Sequence, residues 1–148
     1  MFMIRLLVFS ILLPAVATGC AARYQPPAPG DRHALLALPS QEAQLDRGMF
    51  LEPVALNGLT RPRNWLVESF RMPPGQFRLL ARAAQDAVQG SCLLQFDAVA
   101  GETYLLDAER VDGMFTLSVS HGGEVVAECS APATVLPTPA RIPGAPAR

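Results

Sequence analysis

Three cysteines, two histidines and one tryptophan carry most of the chemistry open to this chain of 148 residues. A metal site needs several His, Cys or carboxylate side chains to converge. His33 and His121 stand far apart in the sequence, and the cysteines Cys20, Cys92 and Cys129 have better uses than a metal. Asp107, Glu109 and Asp112 have a spacing that could take Ca²⁺ weakly, but they lack the Gly and Glu positions of an EF-hand loop. A solvated strand end explains them. His121-Gly122-Gly123 has the form of an oxyanion-hole loop, yet no Gly-x-Ser-x-Gly nucleophile elbow accompanies it. A hairpin turn explains it. The chain has no Lys, and so no phosphate-cradling loop with a following Lys. These residues predict no catalytic, metal or cofactor site.

Trp65 sits in Arg61-Pro62-Arg63-Asn64-Trp65, where an exposed Trp beside Arg61 and Arg63 would make an interface anchor. The competing reading is a core Trp packed on a disulfide. Overall charge is −1, and residues 46–130 hold seven Arg against eleven acidic residues, net −4. That balance excludes a strongly basic nucleic-acid binder and disfavours adhesion to anionic headgroups or glycan phosphates. With 50% hydrophobic and 17% charged residues, the chain is not wholly disordered.

The N-terminus has the layout of an export signal over residues 1–19. Arg5 supplies a positive start, Leu6 to Val16 an apolar run, and small residues follow. The run falls short of the roughly 20 residues a transmembrane helix needs, and Pro14 interrupts it. Ala17-Thr18-Gly19-Cys20 resembles the lipobox of bacterial lipoproteins, with Ala17 in place of the usual Leu. Ordinary cleavage after Ala15-Val16-Ala17 would instead leave a soluble periplasmic protein. Cysteine arithmetic favours lipid. With Cys20 acylated, Cys92 and Cys129 remain as one pair in an oxidising compartment. Three acyl chains exceed the two-signal threshold for stable anchoring. Ala21 is not the Asp of an inner-membrane retention signal, so the outer membrane, on its periplasmic face, is expected.

The elements that would position any site lie beyond that anchor. Residues 20–45 are rich in Pro and predict a flexible linker, with His33 to Leu38 as a short apolar patch, an extra edge strand or a docked segment. Residues 131–148 predict a disordered, Pro-rich tail. The domain proper is expected over 46–130. There, Asn57-Gly58, Pro74-Gly75, Gly90-Ser91, Ala100-Gly101, Asp112-Gly113 and Gly122-Gly123 punctuate the chain as turns. Cys92, Leu94, Phe96 and Ala98 share one strand face, as do Tyr104, Leu106 and Ala108. Phe115, Leu117 and Val119 share another, and so do Val125, Ala127 and Cys129. This spacing predicts an all-β fold, a small antiparallel β-sandwich. Residues 76–89 also show helical spacing, through Phe77, Leu80, Ala81, Ala84 and Val88. Strand is taken for 76–83, followed by an irregular hairpin tip over 85–90.

Met72-Pro-Pro-Gly-Gln-Phe-Arg-Leu79 and Cys92-Leu-Leu-Gln-Phe-Asp-Ala-Val-Ala-Gly-Glu-Thr-Tyr104 resemble a motif of small proteobacterial outer-membrane lipoproteins. In those, a β-sandwich similar to PEGA-type and transthyretin-like modules follows the lipobox. The resemblance covers about residues 50–130. It implies a fold and a location, with Phe96 and Tyr104 as core aromatics, and it carries no catalytic residues. Phe77 departs from the pattern, where a polar His is frequent. The expected protein is a non-enzymatic envelope module recognising a protein partner through a sheet edge or the Trp65 region. The alternative is a small-ligand or cell-wall glycan binder.

Overall fold

Alternation with period two needs a second sheet to bury the apolar face, and this chain builds two. The computed structural model describes residues 22–61 and 68–136. In order, these form β1 (Ala34–Ala37), α1 (Gln41–Arg47), β2 (Met49–Leu56), β3 (Leu59–Thr60), β4 (Ser69–Met72), β5 (Gly75–Gln85), β6 (Val88–Ala98), β7 (Thr103–Val111), β8 (Met114–His121), β9 (Glu124–Pro132) and β10 (Thr134–Val135). One sheet runs β4-β1-β7-β8-β9 and the other β10-β6-β5-β2-β3. The fold is an all-β sandwich. Every pairing between named strands is antiparallel except β1 with β7, which is parallel.

The inward faces are those the alternation predicts. Leu94, Phe96 and Ala98, Tyr104, Leu106 and Ala108, and Phe115, Leu117 and Val119 are all buried. Among the described residues no polar or charged residue is buried. Residues 76–83 are strand, because β5 is paired on both sides, with β2 and with β6. The β5–β6 hairpin is tighter than expected. Its register runs unbroken from Gly75↔Ala98 to Gln85↔Val88, so Asp86 and Ala87 alone make the turn. Both take positive φ, 54° and 27°, the geometry that two-residue hairpins require.

Gly90 is therefore not a turn. It lies buried inside β6, where an added Cβ would stand 2.8 Å from Phe115 Cδ2 and 3.2 Å from Phe115 Cβ. Phe115 is itself fully buried and has no room to yield. Gly90→Ala should accordingly cost about 1–3 kcal/mol, the range for overpacking a filled core. Urea unfolding would show it as a lowered midpoint with unchanged slope; an unaltered midpoint would refute the close approach.

Two expectations about boundaries and one about a strand face are corrected. Within the 20–45 segment, the described residues 22–45 are not a free linker: β1 is an interior strand between β4 and β7, and Tyr24 is buried. The Pro-rich composition concealed a four-residue strand whose neighbours come from later sequence. The domain also continues past residue 130, since β9 runs to Pro132. At Ala133, whose N–H donates to Gly113 O at 2.8 Å, the chain crosses to the other sheet as β10. Lastly, Val125 does not share the inward face of Ala127 and Cys129. The register shifts between Val119↔Ala127 and Ser120↔Val125, so the bulge turns Val125 out to 59% exposure.

Candidate functional site

The sandwich is closed differently along its two long sides. On one side β6 and β9 approach, and Cys92 and Cys129 form a disulfide with Cα atoms 6.1 Å apart. The opposite side, between β2–β3 and β1–β4, is filled at one end and open at the other.

Tyr24 fills the closed end. Its N–H donates to Thr60 O at 2.8 Å and its hydroxyl donates to Arg71 O at 2.8 Å, so it ties β3 to β4. Its ring lies edge-on to Phe70 and Phe77, at 6.4 and 6.3 Å. Burial pushes the phenol up from 10 to about 12. The folded state thus favours the neutral phenol, and that stabilisation is complete below pH 10 and lost as pH rises toward 12. Release of the Tyr24 segment over that interval should appear as amide-exchange loss at Tyr24 in wild type. Tyr24→Phe, which cannot ionise, should lack this alkaline step.

The open end is a cavity of about 600 Å³. Phe50 to Pro53 of β2, Arg82 and Ala84 of β5, Leu38-Pro39 and Gln41 and Gln44 line it, with Arg61 and Glu68 at its rim. β2 alternates here, so Leu51 points inward while Phe50 and Glu52 face out. Phe50 is 55% exposed. Glu52 stands directly opposite Arg82 in the β2–β5 register. Its Oε1 accepts from Arg82 Nε at 2.7 Å, and its Oε2 lies 2.7 Å from an Arg61 guanidinium nitrogen. One carboxylate holds two arginines. Such half-exposed pairs add about 0–1 kcal/mol to stability, and what they mainly fix is the direction of both guanidinium groups.

α1 forms the cavity's far wall. Ser40 caps it, accepting from Ala43 N–H at 3.2 Å, and Gly48 ends it in the left-handed region. The Gln44 amide holds it to the sheet, donating to Pro39 O at 2.9 Å and accepting from Leu51 N–H at 2.8 Å. This second bond covers part of the β2 edge, which would otherwise offer unpaired backbone groups. Pro53 on the same strand discourages pairing further.

Of the residues predicted from sequence, Cys92 and Cys129 come together and Arg61 lies on the cavity rim. Cys20, Arg63 and Trp65 lie outside the described residues, as do the export segment 1–19 and residues 137–148. His33 turns back on its own loop, its Nδ1 2.7 Å from Asp31 O. His121 pairs with Glu102 at 2.8 Å and lies over the Tyr104 ring at 5.0 Å. Gly122 and Gly123 make the β8–β9 turn with positive φ. Asp107 is held by Arg47 of α1. Among the described residues no three His, Cys, Asp or Glu gather as a metal site, and no helix is long and apolar enough to cross a membrane. Sequence reasoning missed Phe50, Glu52 and Arg82. The one available signal was Phe50, an aromatic on the polar parity of its strand. No protein-family model matches the chain, and neither a curated protein nor a solved structure is found to be similar to it.

Proposed function

We propose that this protein is a lipid-anchored, non-enzymatic binding module of the bacterial cell envelope. Acylation of Cys20 would hold it at the periplasmic face of the outer membrane, and the open end of the sandwich would receive a protein partner. The observation that carries the reading is Phe50, exposed on the outward face of β2 and lining a preformed cavity together with Arg61 and Arg82. Exposed aromatic and Arg side chains are the residue types that dominate protein interfaces, and the rim offers charges of both signs. Pairing of Cys92 with Cys129 leaves Cys20 as the odd cysteine, which supports the lipobox reading of Thr18-Gly19-Cys20. Simple cleavage to a soluble periplasmic protein is the other outcome of that motif.

A second reading, a small-ligand or cell-wall glycan binder, is favoured by the cavity itself. Its volume of about 600 Å³ falls within the range of small-molecule sites. One experiment separates them. A photo-crosslinking residue at position 50 should give a discrete protein adduct in intact envelopes, and the same residue at 125 should not. Chemical-shift changes confined to Leu38, Phe50 and Ala84 on adding muropeptides, without any protein adduct, would replace the first reading by the second. Intact mass checks the anchor: a diacylglyceryl group on Cys20 is expected, and an unmodified chain starting at Thr18 would overturn it.

A further inference from the structure

The distance from the anchor to the first bonded residue decides where the domain sits. Between Cys20 and the buried Tyr24 there are only Ala21, Ala22 and Arg23. Ala22 and Arg23 already lie along β3, since Ala22 O accepts from Thr60 Oγ1 at 3.4 Å and Arg23 bridges Thr60. Four residues reach at most about 14 Å when fully extended. A free linker over 20–45 would instead have given an r.m.s. separation of roughly 25–30 Å. We infer that the corner of the sandwich formed by Tyr24, β3 and β4 rests directly against the phospholipid surface into which Cys20 is anchored.

This inference rests on the proposed acylation of Cys20 and adds the surface that meets the bilayer. Charge is arranged to suit it. Arg23 is exposed at the tether, and Arg71, whose carbonyl holds Tyr24, has a buried Nε with no hydrogen-bond partner. Neither Arg takes part in an ion pair among the described residues. The side of the sandwich away from this corner carries the exposed acids Glu124 and Glu128 on β9. Although the net charge of residues 46–130 is −4, the exposed Arg23 at the tether faces anionic headgroups while Glu124 and Glu128 lie on the far edge. Docking of Tyr24 thus converts an anchor into an orientation.

The test uses the full acylated chain in vesicles of phosphatidylethanolamine and phosphatidylglycerol bearing a paramagnetic chelate on a lipid headgroup. Cys20 is blocked by lipid and Cys92 and Cys129 by their bond, so a single added cysteine can be spin-labelled. Thr60→Cys places the label at the corner, where the exposed native side chain donates to Ala22 O at 3.4 Å. Glu128→Cys places it across a sheet width of roughly 20 Å. Relaxation enhancement at position 60 should exceed that at 128 by at least about fivefold, as expected for that separation. Inserting about twelve Gly and Ser residues between Ala21 and Ala22 should abolish the difference, since a flexible segment restores reach. Equal relaxation at both positions in a chain whose mass shows the lipid overturns the inference and leaves the anchor intact. A chain whose mass shows no lipid overturns the anchor, and the inference with it.

Discussion

Exchanging Cys92 and Cys129 together for alanine should remove about 4 kcal/mol of stability, the chain-entropy value for a cross-link spanning 37 residues. Against a typical total of roughly 5–15 kcal/mol, the loss is a large share. The location of the bond makes it the more consequential. β6 pairs with β5 and β10, and β9 pairs only with β8, so no backbone ladder joins β6 to β9. The disulfide ties β6 directly to β9, supplemented on that side by the chain crossing at Ala133 and the two residue pairs of β10 with β6. Thermal unfolding of the double variant should therefore fall by roughly 15 °C, taking about 4 °C for each kcal/mol. Reduced wild-type protein should melt with the variant. A variant that melts with oxidised wild type would show that the bond contributes nothing to holding the sheets together.

Phe77→Ala should cost about 3–5 kcal/mol, the range for emptying a fully buried aromatic site. Phe77 is wholly inaccessible and touches rings on three sides. Phe96 lies 5.8 Å away, Tyr24 6.3 Å and Phe70 6.5 Å, all centroid to centroid. These rings come from β5, β6, β4 and the N-terminal segment, so the cavity left behind would open at the junction of both sheets. Phe77→Leu, which keeps most of the volume, should cost much less. Because Tyr24 packs on Phe77, the alanine variant should also lose amide protection at Tyr24 before the rest of the sandwich unfolds. A loss below about 1 kcal/mol, far under the usual range, would show that these rings do not pack as one unit. A polar side chain at this position would be stranded among them.

The elements that the sequence made readable are those with strict alternation and local turns. β6, β7 and β8 carry Leu94 to Ala98, Tyr104 to Ala108 and Phe115 to Val119 on their inner faces, and the two-residue turns Asp112-Gly113 and Gly122-Gly123 join β7 to β8 and β8 to β9. The pairing of Cys92 with Cys129 followed from counting cysteines. What stayed hidden depends on contacts between distant parts of the chain. β1 has only four residues, set among prolines, and becomes a strand because β4 and β7 pair with it. β2 carries Pro53 and a register shift between Pro53 and Ala55, which breaks its alternation. Gly90 looked like punctuation because the nearness of Phe115, from another sheet, has no local signature. The cavity was unreadable for the same reason: its walls come from β2, β5, α1 and the ends of two further segments.

The position of β1 also sets the tempo of folding. It is the earliest strand among the described residues, yet it lies in the interior of its sheet, with Leu36 opposite Phe70 on one side and beside Tyr104 on the other. Until β7 has been made and has folded back, β1 has only half its ladder, and the sheet has no centre around which to close. Pairings this far apart in sequence raise the contact order, and all-β domains of that kind fold in milliseconds to seconds rather than microseconds. The early part of the chain must therefore wait, with its apolar Ala34-Leu35-Leu36-Ala37 uncovered, for a partner that arrives late.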